Sequence, residues 1–180
     1  MNTISAPLNA GNEGDFRRIY NNLMPLLFRV SCRVTNDEEA ARDLVHDSFI
    51  KMNEKKLTFP TMNDAKFWLI RVVKNASINY ATRKKNEKKA YEKAFREDTR
   101  KIDSGETELL KADTVAKTKK ALEQLPEKLR MVLILREYAE LNYKEIARMM
   151  GITEGNVKVR VYRAREQLSK LIGEDDVYMS

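Results

Sequence analysis

The stretch of sequence that decides the fold is NYKEIARMMGITEGNVKVRVYRAREQL, residues 142–168. Asn142 can cap a helix that runs to Met150, and Gly151 suits the left-handed residue at which such a helix ends. Thr153 can cap a second helix, in which small and apolar residues recur at steps of four and three. Two helices joined by so tight a turn predict a helix-turn-helix. The inner stripe of its second helix consists of Val157, Val161, Ala164, Leu168 and Leu171.

The face of the second helix opposite that stripe mixes cationic, hydrogen-bonding and apolar side chains. Such a mixture can read base edges in the major groove of DNA. Arg165 at the margin of this face suits a phosphate, whereas Arg160 beside the stripe suits a local ion pair at least as well as a DNA contact. Because small helical domains without DNA contacts use the same corner, its form alone leaves both functions open. The outer face consists of Gly155, Lys158, Val159, Tyr162, Arg163 and Glu166.

The rest of the C-terminal half is also helical. From about residue 116 the sequence predicts four short helices, of which the helix-turn-helix supplies the last two. Leu125 ends the first of the four, and Pro126 suits the start of the second. Upstream, charged residues dominate residues 86–115 while large aliphatic residues become sparse, which predicts a linker that is partly helical near Tyr91 and broken at Ser104-Gly105.

The N-terminal block predicts three helices. Pro25 should bend or locally break the first, and Asn36 can cap the second. The second has an inner side made of Ala41, Leu44 or Val45, Ser48 or Phe49, and Met52. A loop over residues 57–62 precedes the third helix, which Asn63-Asp64 can cap and which continues into a basic block. The first helix has an inner stripe of Phe16, Tyr20, Leu23, Leu27, Val30 and Val34.

These patterns predict an all-α protein, since no segment shows the alternation of a strand. Two small helical domains, residues 13–85 and 116–172, are joined by the charged linker 86–115, and the second is a four-helix domain with the helix-turn-helix. The lone Cys32 and lone His46 exclude an intramolecular disulfide and cysteine-rich or histidine-rich metal sites. We therefore expect neither a metal nor another cofactor.

The chain has 180 residues, of which 42% are hydrophobic and 34% charged, as in a globular domain with a highly charged surface. No apolar run approaches the roughly 20 residues that span a bilayer, and no secretory hydrophobic stretch is evident. These features predict a cytoplasmic protein without membrane insertion. Residues 76–101 hold 9 Lys/Arg against 4 Asp/Glu, a local excess of +5 within a net charge of +7. This excess suggests a polyanion partner, with a solvated linker or helix face as the alternative.

With these residues in view, the chain from Asp15 to Ile172 resembles an extracytoplasmic-function (ECF) sigma factor, a specificity subunit of bacterial RNA polymerase. The resemblance is strongest in LPEK at 125–128, NYKEIA at 142–147 and GITEGNVK at 151–158, which are similar to the promoter-reading domain four of that family. Asn156 stands where threonine is more usual and Val159 where serine is usual. The resemblance implies contacts to the minus-thirty-five element by Asn156, Lys158, Val159, Tyr162, Arg163 and Arg165.

The N-terminal block resembles domain two of the same family. The segment DLVHDSFIK at 43–51 resembles the one that docks on the clamp helices of polymerase. A solvated acidic face over a core is the alternative interpretation. His46 stands where glutamine is common, and no catalytic role is expected for it. The resemblance implies polymerase contacts by Asp43, Leu44, Asp47 and Phe49.

The segment FWLIRVVKN at 67–75 resembles the start of the helix that reads and opens the minus-ten element. The loop at 57–62 corresponds to the family's pocket for a flipped base, with Phe59 as its available stacking surface. We favour packing over base contact for Trp68. The resemblance implies contacts to the minus-ten element by Phe59, Arg71, Asn75, Asn79, Arg83 and Lys84.

The family implies a promoter-specificity factor without catalytic activity. Its implied partners are core RNA polymerase, through the clamp helices and the flap, promoter DNA and an anti-sigma factor. The rival is a stand-alone helix-turn-helix repressor or activator, which leaves the acidic docking segment and the aromatic and basic third helix unexplained. A nuclease or recombinase would need a carboxylate cluster or a nucleophile with a base, and the sequence shows neither.

Overall fold

The computed structural model describes residues 6–95 and 110–173 of the chain. The structure confirms the all-α prediction and divides into two compact units, Met1–Lys89 and Ala90–Ser180. The elements in chain order are β1 (Leu8–Asn9), α1 (Glu13–Thr35), α2 (Glu38–Glu54), β2 (Thr58–Phe59), α3 (Met62–Phe95), α4 (Leu110–Gln124), α5 (Glu127–Glu137), α6 (Tyr143–Met150) and α7 (Glu154–Ile172).

The N-terminal unit packs α1, α2 and α3 around one apolar core. The predicted stripe of α1 is buried from Leu23 to Val34, whereas Phe16 and Tyr20 are half-buried. On α2, Val45 is buried and Leu44 half-buried, and both Ser48 and Phe49 are buried. The hydroxyl groups of Ser31 on α1 and Ser77 on α3 share a buried hydrogen bond of 2.8 Å. Small side chains there let the two helices approach while each hydroxyl satisfies the other.

Two predicted helix boundaries in this unit are wrong. Asn36 ends α1 in the left-handed conformation (φ 55°), which asparagine tolerates, and Asp37 caps α2 by accepting the Ala40 N–H at 3.1 Å. At α3 the reciprocal bonds join Thr61 and Asp64: the Thr61 N–H donates to Asp64 at 3.0 Å, and the Asp64 N–H donates to Thr61 Oγ1 at 3.2 Å. α1 also continues unbroken through Pro25.

The structure adds a feature that the sequence analysis did not predict, a two-stranded antiparallel ladder. Leu8 pairs with Phe59, and Asn9 pairs with Thr58. Strands of two residues are too short to show an alternating pattern, so only the tertiary structure reveals them. The ladder ties the segment before α1 to the loop before α3.

The C-terminal unit consists of α4 to α7, and the predicted caps hold. Asn142 and Glu145 form a capping box, Gly151 takes φ 65° at the turn, and Thr153 Oγ1 accepts the Asn156 N–H at 3.2 Å. α7 packs on α4, α5 and α6, and its buried side chains are Val157, Val161 and Ala164. The C-terminal end of the predicted stripe is not buried as expected. The buried part of α7 ends at Ala164, and Leu171 is exposed.

The predicted linker, residues 86–115, contains more helix than the part expected near Tyr91. α3 runs past residue 85 to Phe95, and α4 already begins at Leu110. The extension is rich in Ala, Glu and Lys, which favour helix, and Arg83 pairs with Glu87 one turn on at 3.6 Å. The predicted break at Ser104-Gly105 lies outside the described residues.

Candidate nucleic-acid interface

The outer face of α7 is exposed along the whole helix. Val159 is 47% exposed and Tyr162 is 70% exposed, although both carry apolar surface. They lie opposite Val157 and Val161, which the core buries. The structure thus brings the predicted minus-thirty-five side chains together on one exposed face: Asn156, Lys158, Val159, Tyr162, Arg163 and Arg165.

The cations of this face differ in what they contact. Lys158 Nζ lies 3.4 Å from Glu154 Oε1, and Arg165 Nη2 lies 2.7 Å from Glu137 Oε1 on α5. Within the described part of the chain, Arg163 forms no hydrogen bond or ion pair. The pKa of Glu166 is lowered, first by the hydrogen bond from Lys170 and also by the positive charge of Arg163. Arg163 therefore has its donors available for another molecule.

A second exposed row lies on α3. Arg71, Asn75 and Asn79 follow one another at a spacing of four residues, and all three are exposed. None of their three side chains makes a hydrogen bond with another described residue. Arg83 continues the row at the next turn, where its guanidinium carbon lies 5.8 Å from the centre of the Tyr80 ring.

Lys84 lies off this row, and the minus-ten contact that the resemblance implies for it stays a prediction. Its Nζ donates to Asp37 Oδ2 at 2.7 Å and lies 3.3 Å from the Tyr80 hydroxyl. At about 100° per residue, Lys84 lies on the side of α3 that also carries buried Val73 and Ser77, away from Arg71. An ion pair with the start of α2 is therefore what the structure shows for this lysine.

Phe59 is also placed differently from the expectation. Its side chain is 6% exposed, and its ring centre lies 6.1 Å from that of the half-buried Trp68. The pairing of β2 with β1 sets Phe59 opposite Leu8 and turns its side chain into the core. The ring is therefore not an available stacking surface, and the prediction on this point is wrong.

One of the four residues predicted for the polymerase-binding surface of α2, Phe49, is buried instead of exposed. Asp43 and Asp47 are exposed and form no ion pair with another described residue, and Leu44 is half-buried. Phe49, however, is 1% exposed, and its ring centre lies 4.8 Å from that of Tyr20. Its side chain belongs to the core and not to the outer surface of α2.

The sequence analysis missed one apolar side chain on this surface. Ile50 is 41% exposed and borders a groove between α1 and α2 that Phe16, Tyr20 and His46 also line. Ile50 follows Asp47 by three residues, so the helical spacing already placed it on the same face. The exposed surface of α2 thus combines two acids with Ile50 and part of Leu44.

Two further findings concern the described residues only. Nowhere in residues 6–95 and 110–173 do three His, Cys, Asp or Glu side chains gather in a way that can hold a metal ion. None of the described helices combines the length and the apolar character that crossing a membrane requires.

Comparisons with known proteins agree on one family. Two family models match the chain, Sigma-70 region 2 over residues 19–87 and Sigma-70, region 4 over residues 117–168. The RNA polymerase sigma-H factor of Pseudomonas aeruginosa is 30% identical over 148 residues, covering 78% of this chain and 77% of that protein. The ECF RNA polymerase sigma-E factor of Haemophilus influenzae is 33% identical over 138 residues, covering 72% of this chain and 73% of that protein.

Two solved structures share the fold. CnrH, in its complex with the cytosolic domain of CnrY, has a TM-score of 0.65 at 19% identity, covering 92% of this chain and 94% of that one. The sigma factor RpoE from Bartonella quintana, in complex with the anti-sigma factor NepR, has a TM-score of 0.59 at 22% identity, covering 88% of this chain and 96% of that one. The two matched regions coincide with the helices that carry the exposed rows and the acidic surface. The chain therefore belongs to the ECF sigma factors, which direct RNA polymerase to promoters to initiate transcription.

Proposed function

We propose that this sigma factor recognises its promoter through two exposed faces, one on α7 and one on α3, and docks on core polymerase through α2. One observation carries the proposal. The face of α7 opposite its buried stripe is exposed, and the side chain of its Arg163 forms no hydrogen bond or ion pair with another described residue. A helix-turn-helix domain with such a face can place its second helix in the major groove.

On α7 the side chains divide by chemistry. Arg163 can donate two hydrogen bonds to guanine, Asn156 can pair with adenine, and Val159 can contact the methyl group of thymine. Lys158 and Arg165 suit phosphates. Their ion pairs with Glu154 and Glu137 join exposed groups, and such pairs contribute only about 0–1 kcal/mol. A phosphate can therefore replace either carboxylate at little cost.

On α3 the row of Arg71, Asn75 and Asn79 faces the minus-ten element. An amide donates and accepts, so Asn75 and Asn79 can hydrogen-bond the edges of unpaired bases while Arg71 binds phosphate. Phe59 serves this face indirectly, because its contact with Trp68 supports the loop before α3 from within. Strand opening then depends on amide contacts more than on stacking against Phe59.

On α2 the exposed Asp43 and Asp47 bind a basic surface of core polymerase, the clamp helices, with Leu44 and Ile50 as the apolar part of the interface. Acids beside apolar side chains suit an interface that is steered electrostatically and then packs. The C-terminal unit contacts the polymerase flap. Domain two occupies residues 13–85, and domain four occupies residues 116–172.

The chain itself performs no catalysis in this proposal, since polymerase supplies the metal and forms the bonds. It acts in the cytoplasm, where polymerase is found. An anti-sigma factor is a further proposed partner. The support for it is that one structural relative, RpoE, was solved with the anti-sigma factor NepR.

The test is reconstitution. The purified chain is mixed with core RNA polymerase, the complex is isolated by size exclusion, and it transcribes a library of DNA randomised in both promoter elements. We expect a stable complex, discrete start sites and two enriched sequence elements upstream of them. A chain that binds duplex DNA alone and never joins polymerase would be a stand-alone regulator, and the proposal would fail.

A further inference from the structure

Three side chains that are distant in the sequence meet where α3 leaves the core of the N-terminal unit. Tyr80 donates its hydroxyl hydrogen to Asp37 Oδ2 at 2.7 Å, and Lys84 Nζ donates to the same oxygen at 2.7 Å. The other carboxylate oxygen, Oδ1, accepts the Ala40 N–H at the start of α2. Both oxygens of Asp37 are thus engaged, one within α2 and one with α3.

This network differs from an ordinary surface ion pair. The side chain of Asp37 is 25% exposed, and that of Lys84 is 58% exposed. The ammonium group of Lys84 also lies 5.5 Å from the centre of the Tyr80 ring. The pKa of Asp37 is strongly lowered, first by the hydrogen bond from Lys84 and then by that from Tyr80, and the pKa of Lys84 is raised by the bond to Asp37. Three groups therefore hold one another in a defined geometry, unlike a pair of freely rotating side chains.

The network lies where the buried part of α3 gives way to an exposed extension. Ser77 is the last buried side chain of the helix, and every described side chain from residue 82 to residue 93 is exposed. The extension includes Arg83, the end of the row that faces DNA in the proposed function. The bonds of Tyr80 and Lys84 to Asp37 therefore tie the start of this basic extension to α2.

We infer that Asp37 is a positioning residue for promoter opening: it keeps Lys84 off the DNA and anchors α3 so that the row from Arg71 to Arg83 is presented at a fixed angle. The inference rests on the proposed function of α3. It gives Lys84 a structural role in place of a phosphate contact, and it makes Asp37, which is distant from that row in the sequence, a determinant of strand opening.

The first test counts phosphate contacts. Each lost contact reduces the slope of log affinity against log salt by about 0.7 to 0.9. We measure that slope for promoter binding by the reconstituted holoenzyme with Lys84→Met and with the matched control Arg71→Met. Arg71→Met should lower the slope by about one contact and Lys84→Met should leave it unchanged. An equal fall for both variants would overturn the inference, since Lys84 would then bind phosphate.

The second test measures coupling. Asp37→Asn keeps a good helix cap but removes the charge that holds Lys84. Asp37→Asn and Lys84→Met should each slow open-complex formation by roughly two- to tenfold, and the double variant should be no slower than either, as for directly bonded residues. Lys84→Arg, which can keep the ion pair, should restore most of the rate. Additive effects of the two single variants would overturn the inference.

Two controls separate this inference from the function on which it rests. If the wild-type chain forms no initiating complex with polymerase, the proposed function fails before any variant is compared. Tyr80→Phe removes one bond of the network while keeping the ring. It should slow opening without changing the salt slope, and a variant that opens DNA at the wild-type rate counts against the network.

Discussion

Two lysines of α7 in the C-terminal unit and Lys84 of α3 in the N-terminal unit are held in different ways. On α7 of the C-terminal unit, Lys158 and Lys170 pair with acids one turn away on the same helix, at 3.4 and 2.8 Å. On α3 of the N-terminal unit, Lys84 pairs with Asp37, 47 residues earlier in the chain. Local pairs leave the α7 face open to exchange with DNA, whereas the distant pair fixes one helix against another.

The same contrast holds for the aromatic side chains. Tyr162 projects from α7 into solvent, but Phe49 and Phe59 in the N-terminal unit are packed against other rings. Tyr162 of the C-terminal unit is thus exposed to a partner, whereas Phe49 and Phe59 of the N-terminal unit are buried in its core. Exposure, rather than residue type, decides which of them can meet a partner.

The largest effect is expected at the free charges of the N-terminal unit. Reversing Asp43 and Asp47 to lysine should abolish association with core polymerase, because like charges would then face a basic surface at a cost of several kcal/mol. Co-purification at moderate salt measures this, and circular dichroism checks that the helices remain. If the double variant still assembles with polymerase, the acidic surface of α2 faces solvent and is not the docking surface.

The next prediction tests whether the side chain of Phe49 stabilises the core rather than the polymerase interface. Phe49→Ala should lower the free energy of unfolding by about 3–5 kcal/mol, since it empties space in the core beside Tyr20. Urea unfolding measures the loss. Ile50→Ala, one residue away on the exposed side, should change stability by less than about 0.5 kcal/mol and instead weaken polymerase binding. If instead Phe49→Ala kept its stability and bound polymerase weakly, Phe49 would belong to the polymerase interface.

A smaller effect is expected on the outer face of α7. Arg163→Ala should weaken promoter binding by about 1–3 kcal/mol and relax the preference at one base pair, as for a lost base contact. Competition binding of the holoenzyme to promoter variants measures both. Lys170→Ala serves as the control, because that lysine pairs with Glu166 near the end of the helix. Equal effects of the two variants would mean that only the total charge of α7 matters.

The local caps of the C-terminal unit allow a further comparison. Asn142→Ala should destabilise this unit by about 1 kcal/mol, because it removes the oxygen that accepts the Glu145 N–H at the start of α6. Thermal unfolding measures the change. The minus-ten element should open at the wild-type rate once the holoenzyme has assembled. A slower rate would show that opening by the N-terminal unit depends on the stability of the C-terminal unit.

The smallest effect concerns pH. The pKa of Asp37 in the folded protein lies below its ordinary value of 3.8, so its pairing contributes stability above that value and loses it as pH falls through the lowered pKa. The pKa of Lys84 is raised above 10.5, so its contribution is lost only at still higher pH. The stability difference between wild type and Asp37→Asn should be constant from about pH 5 to 9 and shrink below about pH 4. A difference that varies near pH 7 would point to another titrating group.

The sequence by itself determined the all-α class and most of the C-terminal unit. The caps at Asn142, Gly151 and Thr153 act within a few residues of their own position, and the stripe of α7 follows the helical period. Local interactions of this kind can be derived without knowing the rest of the chain. The exposed face of α7 then follows by geometry, because it is the side opposite the stripe.

Only the tertiary structure decided which side chains of the N-terminal unit are available. The position of Phe59 depends on Leu8, and that of Lys84 depends on Asp37, residues that no local pattern connects. Helical spacing left Leu44 and Val45, or Ser48 and Phe49, as alternatives for the inner side of α2. Packing in the assembled unit buries Val45 rather than Leu44, and it buries both Ser48 and Phe49. Burial is a property of the neighbours that folding brings together, so it becomes definite only when the whole unit is assembled.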